Sequence, residues 1–480
     1  MLGIKYFVTS RIVLLLLRRN KITAVCLCAT ALFVFGLSCP QTLLTEFSLR
    51  FSNNNTYRIF PSSHGGSRAN YSFPNVDWFI EQYQNRSDLR GTFFEVDNVQ
   101  SYHNFLTKIN TIKKKGKKLS SSNSLNGTQP FEIFMKNVNQ NYLYHPDDLI
   151  IWKVLRDLRT RPITKVEMNP GSSHLVLRMS LDNGGMAIFK VQRTPKDQEV
   201  HPDLFFIREM ERPNAEVAAF YLDRLLGFYR APPIVSRSLN ITRDIVPFGD
   251  KRTIVDTVHR SPAGNVCFFG TCLDYCSLHT PVCGKPDLIE GAVSMYLTGA
   301  SIETIQTPWG RYIPPFWKTR WEKDDTFCDT DVKTNSNYSM RTLLNYMDVS
   351  VMDFLTGNLD RHHTEVFKEF KQETFFIHFD NGRGFGKSKY DCWSCMAPVR
   401  QCCLIRLSTL AKLLKLYIGP DSLSQVLRES LKADPSFPVL WEPHLDALDR
   451  RLGKLLSAIS DCINVKGKAW QDVVIDDGLN

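Results

Sequence analysis

The sequence predicts an α+β protein with two unequal lobes, a small mixed β/α lobe followed by a larger, mainly helical one, stabilised by disulfides. Three observations carry that expectation. Residues 174–190 alternate like a β-hairpin and are followed, at 214–228, by apolar residues at helical spacing. Residues 341–355 and most of 404–462 carry helical patterns. Ten of the 13 cysteines fall between positions 267 and 462.

At 480 residues, 43% hydrophobic and 22% charged, the chain has the composition of a globular protein and length for two or three average domains. Of the net charge of +10, half comes from Lys113, Lys114, Lys115, Lys117 and Lys118. That run lies among Ser and Asn and reads as a solvated, disordered stretch; a processing site or a glycan-binding patch is the sharper alternative. No segment matches a nucleic-acid-binding module, so no nucleic acid is expected as a partner.

The N-terminus sets the compartment. Lys5, Arg11, Arg18, Arg19 and Lys21 precede the 16-residue apolar run from Ile22 to Leu37, which extends towards Leu44. We expect a cytoplasmic basic segment over 1–21 and a type II signal anchor over 22–44, with the bulk of the chain in the lumen. A cleaved signal peptide is the alternative, and the long basic leader favours the anchor. Asn54, Asn70, Asn85, Asn126, Asn240 and Asn337 each open an Asn-X-Ser/Thr triplet and are expected N-glycosylation sites. In a lumenal chain the ten clustered cysteines are most simply disulfide-bonded. Zinc held by Cys267, Cys272, Cys276 and Cys283 is disfavoured, because their spacing lacks paired C-x-x-C knuckles. Residues 45–144, rich in Asn and Ser, read as a flexible glycosylated stem with short amphipathic pieces such as Asp77–Tyr83.

The folded domain is expected over 145–475. His174–Leu181 is strand-like, Asp182-Asn183-Gly184-Gly185 is a turn, and Met186–Lys190 returns as an apolar strand ending in a lysine. Asn214 reads as an N-cap, with Val217, Phe220, Tyr221 and Leu225 at helical spacing behind it. Hairpin, lysine, loop and a helix opening with acidic residues is how the small lobe of a kinase is built. Arg341–Leu355 reads as an apolar helix running into Gly357-Asn358-Leu359-Asp360-Arg361-His362-His363. Phe375–Phe379 is an apolar strand, and Asp380-Asn381-Gly382 a turn. Leu410, Leu413, Leu414, Leu445, Leu448, Leu452 and Leu455 mark the helices that follow.

The candidate chemistry rests on two aspartates 20 positions apart. Phosphoryl transfer from ATP needs one carboxylate near the attacking hydroxyl and one on the metal that bridges the phosphates. Asp360, ending a helix and preceding Arg361, suits the first role; a structural pairing with Arg361 is the plainer alternative. Asp380, at a strand end before a Gly turn, suits the second, with Mg²⁺ or Mn²⁺ as the ion. Lys190 is placed to bridge phosphates and to pair with Glu216, and Glu211 is a second acidic candidate. His362 and His363 read as loop packing rather than as a shared metal site. Asn169-Pro170-Gly171-Ser172-Ser173 is the one loop suited to cover phosphates, and it holds a single glycine.

With these residues in view, the chain resembles the secretory-pathway kinases called the family with sequence similarity twenty. That family includes a Golgi casein kinase, a glycosaminoglycan xylosylkinase and a pseudokinase that activates its relative. The resemblance covers roughly 145–475. It is carried by Glu211-Arg212-Pro213-Asn214-Ala215-Glu216-Val217-Ala218-Ala219-Phe220, Cys267-Phe268-Phe269-Gly270, Cys283-Gly284-Lys285-Pro286-Asp287, Gly357 to His363, Asp380 to Gly386, Gln401-Cys402-Cys403 and Pro443 to Asp449. It implies an atypical two-lobed protein-kinase-like fold using ATP and Mn²⁺ (or Mg²⁺). Asp360 then matches the catalytic aspartate, Asp380 the metal aspartate, Glu211 an acidic residue at metal and nucleotide, and Lys190 the nucleotide lysine. Ser294, Met295, Tyr296 and Leu297 fall at the adenine-contacting hinge, and Glu365 matches a further nucleotide-side residue. The implied disulfides are Cys267–Cys283, Cys272–Cys276, Cys328–Cys402 and Cys403–Cys462. His174 and Val176 stand where the family often has Gln and Lys, and Cys392 and Cys395 are additional to its pattern, either bridged or free.

Within the family the pseudokinase has Gln at the position of Glu211, which argues for an active enzyme. Asp380–Lys387 and Cys283–Asp287 look like the protein-kinase branch, whereas Pro308-Trp309-Gly310-Arg311-Tyr312 looks like the xylosylkinase branch. The balance favours a Golgi-lumenal Ser kinase acting on Ser-x-Glu-type sites of secreted proteins. A xylose-directed glycan kinase comes second and a catalytically weak activator or scaffold third. Expected partners are secreted protein substrates, the membrane through the anchor, and a second copy or a related pseudokinase.

Overall fold

The computed structural model describes residues 73–85, 129–201, 210–310 and 317–478. Helix α1, Pro74–Asn85, repeats apolar residues at three- and four-residue steps. Val76, Phe79 and Tyr83 are buried against the long C-terminal helix, and Phe79 stacks on Trp470 at 5.1 Å. Helix α2, Pro130–Asn137, buries Phe131, Phe134 and Met135. The packed core therefore begins before the boundary expected at residue 145, and Asp77–Tyr83 belongs to a docked helix. Helix α3, Ile150–Thr160, turns Ile150, Ile151, Val154, Leu155 and Leu158 inward.

Strands β1 (Ile163–Met168), β2 (Val176–Leu181) and β3 (Met186–Val191) form an antiparallel meander. Leu181 and Gly185 bond across the Asp182–Gly185 turn. Helix α4 is Pro213–Leu226. The N-cap expected at Asn214 is instead Arg212, with Pro213 opening the helix, as its fixed φ favours. Asn214 lies buried inside, donating from Nδ2 to the Val439 carbonyl at 3.0 Å. β4 (Ile234–Asn240) follows, then the short strands β5 (His259–Arg260), β6 (Val266–Phe268) and β7 (Val282–Cys283), which form a separate three-stranded sheet. β8, Leu288–Met295, inserts between β3 and β4, so the main sheet runs β1-β2-β3-β8-β4. Helices α3 and α4 both pack on β4 and β8. This is the small lobe.

β9 (Ile302–Gln306) pairs antiparallel with β10 (His363–Phe367) and brackets the central helix of the large lobe, α5, Met340–Thr356. Ser339 caps α5 by accepting from the Thr342 amide, and the helix ends on Gly357 at φ 73°. That left-handed residue, cheap for glycine, turns the chain into the Asp360 loop. The strand expected at Phe375–Phe379 is not a strand. Its one bridge joins Ile377 to Glu365, and the next amide, His378, donates to the Arg230 carbonyl, so no ladder forms. The remainder is α6 (Ala397–Cys402), β11 (Ile405–Arg406), α7 (Leu407–Ile418), α8 (Leu423–Leu431), α9 (Glu442–Asn464), α10 (Trp470–Val473) and β12 (Val474–Ile475), with β12 parallel to β11. Helix α9 packs on α1, α5, α6, α7 and α8.

Five disulfides join the described residues: Cys267–Cys283, Cys272–Cys276, Cys328–Cys402, Cys392–Cys395 and Cys403–Cys462. The first joins β6 to β7, and the first two together leave no thiolates for the disfavoured zinc site. Cys328–Cys402 and Cys403–Cys462 tie α6 to the segment before α5 and to α9. Cys392 and Cys395 are bridged to each other. Among the described residues no helix is long and apolar enough to cross a membrane. The expected anchor over 22–44, the lysine run, and Asn54, Asn70 and Asn126 lie outside the described residues. Asn337 is exposed, Asn85 closes α1, and Asn240 ends β4, where its Oδ1 accepts from the Arg243 amide at 2.8 Å.

Candidate active site

Lys190 is the anchor of the site. Its strand is pinned on both sides, with Lys190 opposite Val176 on β2 and Ala292 on β8. Its ammonium lies 2.7 Å from Glu216 Oε1, 2.8 Å from Asp380 Oδ1 and 2.9 Å from Glu211 Oε2. Glu216 sits in the first turn of α4, and its second oxygen accepts from the Asn381 amide at 3.0 Å. Glu211 precedes α4, and the adjacent Arg212 amide donates to the Gly382 carbonyl at 2.6 Å. The Asp380-Asn381-Gly382 turn is thus clamped onto the start of α4. Gly382 allows it: a Cβ there would stand 3.2 Å from both Glu211 Cβ and Glu216 Oε1.

The electrostatics follow from crowding three carboxylates around one ammonium. Burial alone would lower the Lys190 pKa, but Asp380, Glu211 and Glu216 hold it well above its ordinary value. The Lys190 charge holds Asp380 well below the usual carboxylate range, although 46% of that side chain is open to solvent and part of the attraction is screened. Burial pushes Glu216 up. Three negative groups against one positive leave a formal surplus of two negative charges, and oxygens of Glu211, Glu216 and Asp380 all lie within 4.8 Å of one another. Hard oxygen donors with that surplus fit a divalent ion such as Mn²⁺ or Mg²⁺.

Asp360 lies in the loop after α5. Its amide donates to Asn358 Oδ1 at 3.1 Å, and its carboxylate meets Arg383 Nη1 at 2.6 Å. The alternative pairing with Arg361 does not occur. Arg361 donates to Asp353, to the Phe379 carbonyl and to Asn381 Oδ1, and so braces the Asp360 loop against the Asp380 turn. Asn358 completes the brace by donating to the Asp380 carbonyl at 3.3 Å. Burial pushes the Asp360 carboxyl up, opposed first by Arg383.

The remaining expected residues line the neighbourhood. Ser294 lies within β8, Met295 ends it, and Leu297 is buried just beyond. The Met295 and Tyr296 amides donate to the Pro233 and Met186 carbonyls. His174 is buried, stacked on Tyr275 at 4.7 Å, and lowered in pKa by burial. Ser172 and Ser173 carbonyls accept from Leu273 and Tyr275, so the 169–173 loop is backed by the Cys272–Cys276 loop. Glu365, on β10, pairs through Oε1 with His363 Nε2 at 3.0 Å. The His362 and His363 rings meet edge to face at 4.1 Å but take different polar partners: His362 Nδ1 turns to the Asp360 carbonyl, whereas His363 pairs with Glu365, whose hydrogen bond raises its pKa. Arg383, Asn358 and the Asp353–Arg361 brace were not singled out from sequence as site residues. Their signal lay inside the quoted stretches Gly357–His363 and Asp380–Gly386.

A strand lysine held by a helix glutamate, with one aspartate on the loop after the central helix and another on the following turn, completes an atypical two-lobed protein-kinase-like fold. Comparison with known proteins places it further. Residues 129–471 match the family model described as "Golgi casein kinase, C-terminal, Fam20". The chain belongs to the Fam20 family. It is 42% identical over 350 residues to the human "Extracellular serine/threonine protein kinase FAM20C", covering 72% of this chain and 59% of that one. It is 34% identical over 351 residues to the human "Glycosaminoglycan xylosylkinase", covering 73% and 84%. A crystal structure of the Golgi casein kinase with Mn/ADP bound superposes with a TM-score of 0.72 at 33% identity, covering 85% of this chain and 95% of that one. The chain spans 59% and 63% of the length of the first two curated relatives.

Proposed function

We propose that the protein is an ATP-dependent Ser/Thr kinase of the secretory pathway that phosphorylates Ser-x-Glu-type sites on secreted proteins. The observation that supports it most is the convergence of Glu211, Glu216 and Asp380 on Lys190, within 2.9 Å, next to a turn that also reaches Asp360. Glu211 and Asp380 hold Mn²⁺ or Mg²⁺, which neutralises phosphate oxygens when bound. Glu216 fixes Lys190, whose ammonium positions the nucleotide phosphates. Residues 294–297 border the adenine, with His174 and Glu365 on the nucleotide side. Asp360, half-buried at the loop tip, accepts a hydrogen bond from the acceptor hydroxyl and orients it.

The chain works in the Golgi lumen, held by residues 22–44 or secreted after cleavage, with a glycosylated stem between that segment and the packed core that α1 and α2 join, and with Asn54, Asn70, Asn85, Asn126, Asn240 and Asn337 as the chain's glycan acceptors. The extracellular designation of its kinase relatives supports that compartment. Partners are secreted substrates and a second copy or a related pseudokinase. A second reading, a xylose-directed glycan kinase, is favoured by the likeness to the xylosylkinase over 84% of that protein's length. The purified lumenal part is given labelled ATP, Mn²⁺, a Ser-x-Glu peptide and a xylose-containing linkage oligosaccharide. Label on the peptide, abolished by Asp380→Ala, is expected. Label on the sugar alone selects the glycan kinase, and label on neither with ATP still bound selects a scaffold or activator.

A further inference from the structure

Two arginines flank the two aspartates, and they do different work. Arg361, next to Asp360 in sequence, spends its donors on Asp353, the Phe379 carbonyl and Asn381. Arg383, 23 positions after Asp360, reaches it from the Asp380 turn, with Nη1 to Oδ2 at 2.6 Å. Both side chains are nearly closed off, 12% and 16% exposed, so the pair is weakly screened. Arg383 Nε has no acceptor among the described residues, unlike a scaffold arginine whose donors are filled by carbonyls.

The backbone explains how Arg383 comes to lie there. Gly382 and Gly384 let the turn squeeze between α4 and the end of α5: a Cβ on Gly384 would stand 3.1 Å from Thr356 Cβ and from the Asn381 carbonyl. Phe385 then bonds the Thr356 carbonyl at 2.7 Å and locks the turn. A single rigid turn thereby carries a carboxylate of the Lys190 cluster at one end and the partner of Asp360 three residues later.

We propose that Arg383 is the positioning residue of Asp360, holding that carboxylate in place and in its charged form. This rests on the kinase reading above. Asp360 needs such a partner. Around it, Asp380 from the same turn and Glu211 from the start of α4 are like charges, burial disfavours ionisation, and the exposed His362 on its own loop is the other opposing group. Without the guanidinium, protonation becomes easier and Asp360 loses its acceptor role on the acid side.

The test has two readouts. In protein labelled with ¹³C at aspartate carboxyls, and with Asp360→Asn to assign the resonance, the Asp360 titration midpoint in the lumenal part should rise by about one pH unit or more in Arg383→Gln and by less in Arg383→Lys, where one unit is a tenfold change in the protonation equilibrium. The kcat of Arg383→Gln should fall about tenfold further at the acid end of the profile than above neutrality, with KM for ATP little changed. An unmoved midpoint, or an equal loss of kcat at every pH, overturns the proposal. If Arg383→Gln does not fold, the Lys variant decides by the same midpoint. A midpoint that moves in a protein that labels neither peptide nor sugar would sink the kinase reading, and with it the positioning role, leaving only the Arg383–Asp360 coupling.

Discussion

Two charge clusters in this molecule have opposite stoichiometry. Around Lys190, three carboxylates share one ammonium. Around Asp391, between the Asp380 turn and α6, one carboxylate is shared by Arg450, Arg451 and Lys454. The second cluster disposes of its surplus internally. Arg451, 1% exposed, donates to the Leu355, Lys387 and Tyr390 carbonyls, and Arg450 to the Ser388 carbonyl. The first has less internal compensation among the described residues, the Asn381 amide on Glu216 Oε2, and Asp380 stays half open. A charge surplus that the fold neutralises is scaffold; one left facing the cleft is completed by what binds there.

The contrast can be broken most forcefully at Arg451. Arg451→Ala leaves Asp391 with two partners and strips three carbonyls of their donor, so a loss of about 3–5 kcal/mol is expected, read as a lower denaturation midpoint at unchanged m-value. A change below about 1 kcal/mol would remove the cluster from the scaffold. Its pH signature has a definite sign. Burial raises Asp391, but hydrogen bonds from Arg450 and Lys454 bring it down to about 2. Its folded pKa lies below the unfolded value of about 3.9, so its stabilisation is present above that pH and lost as pH falls towards 2. An Asp391→Asn variant should therefore flatten the acid limb of the stability curve.

Glu216→Gln sharpens the comparison from the other side. Burial raises the Glu216 pKa, so its ionisation opposes folding as pH rises, and the neutral variant should fold with nearly unchanged stability at neutral pH. Phosphotransfer should fall about tenfold or more as Lys190 loses its fixed partner. Stability lost in step with activity would make Glu216 scaffold like Asp391. Of two disulfides that differ in ring size, the smaller effect is expected at Cys392–Cys395. A separation of 3 closes a ring whose chain-entropy contribution is about 2 kcal/mol, against about 4.5 for the separation of 74 in Cys328–Cys402. Paired Ala variants compared by thermal unfolding should keep that order.

How much was legible in the sequence follows the same division. The hairpin 174–190, the helices from 341 and 404, and the spacing of Asp360 and Asp380 were readable because periodicity and turn chemistry are local. The Asn214 cap and the 375–379 strand were misread because tertiary partners decided them: Pro213 took the helix start, and Arg230 took the amide that a ladder needed. The start of the core was misplaced because α1 and α2 sit in a segment whose composition resembles a stem, yet their few aromatic residues fall on one face. Arg361 looked like the partner of Asp360 because it is adjacent, and only folding brings Arg383 closer.

The central claim is that the Lys190 cluster is completed by a divalent cation together with a nucleotide. Calorimetric titration of Mn²⁺ into the lumenal part with saturating ADP tests it, in the wild type and in Asp380→Asn. Stoichiometric Mn²⁺ binding in the wild type and its loss by tenfold or more in the variant is the predicted result. Equal binding in both, or none in the wild type, would contradict the account.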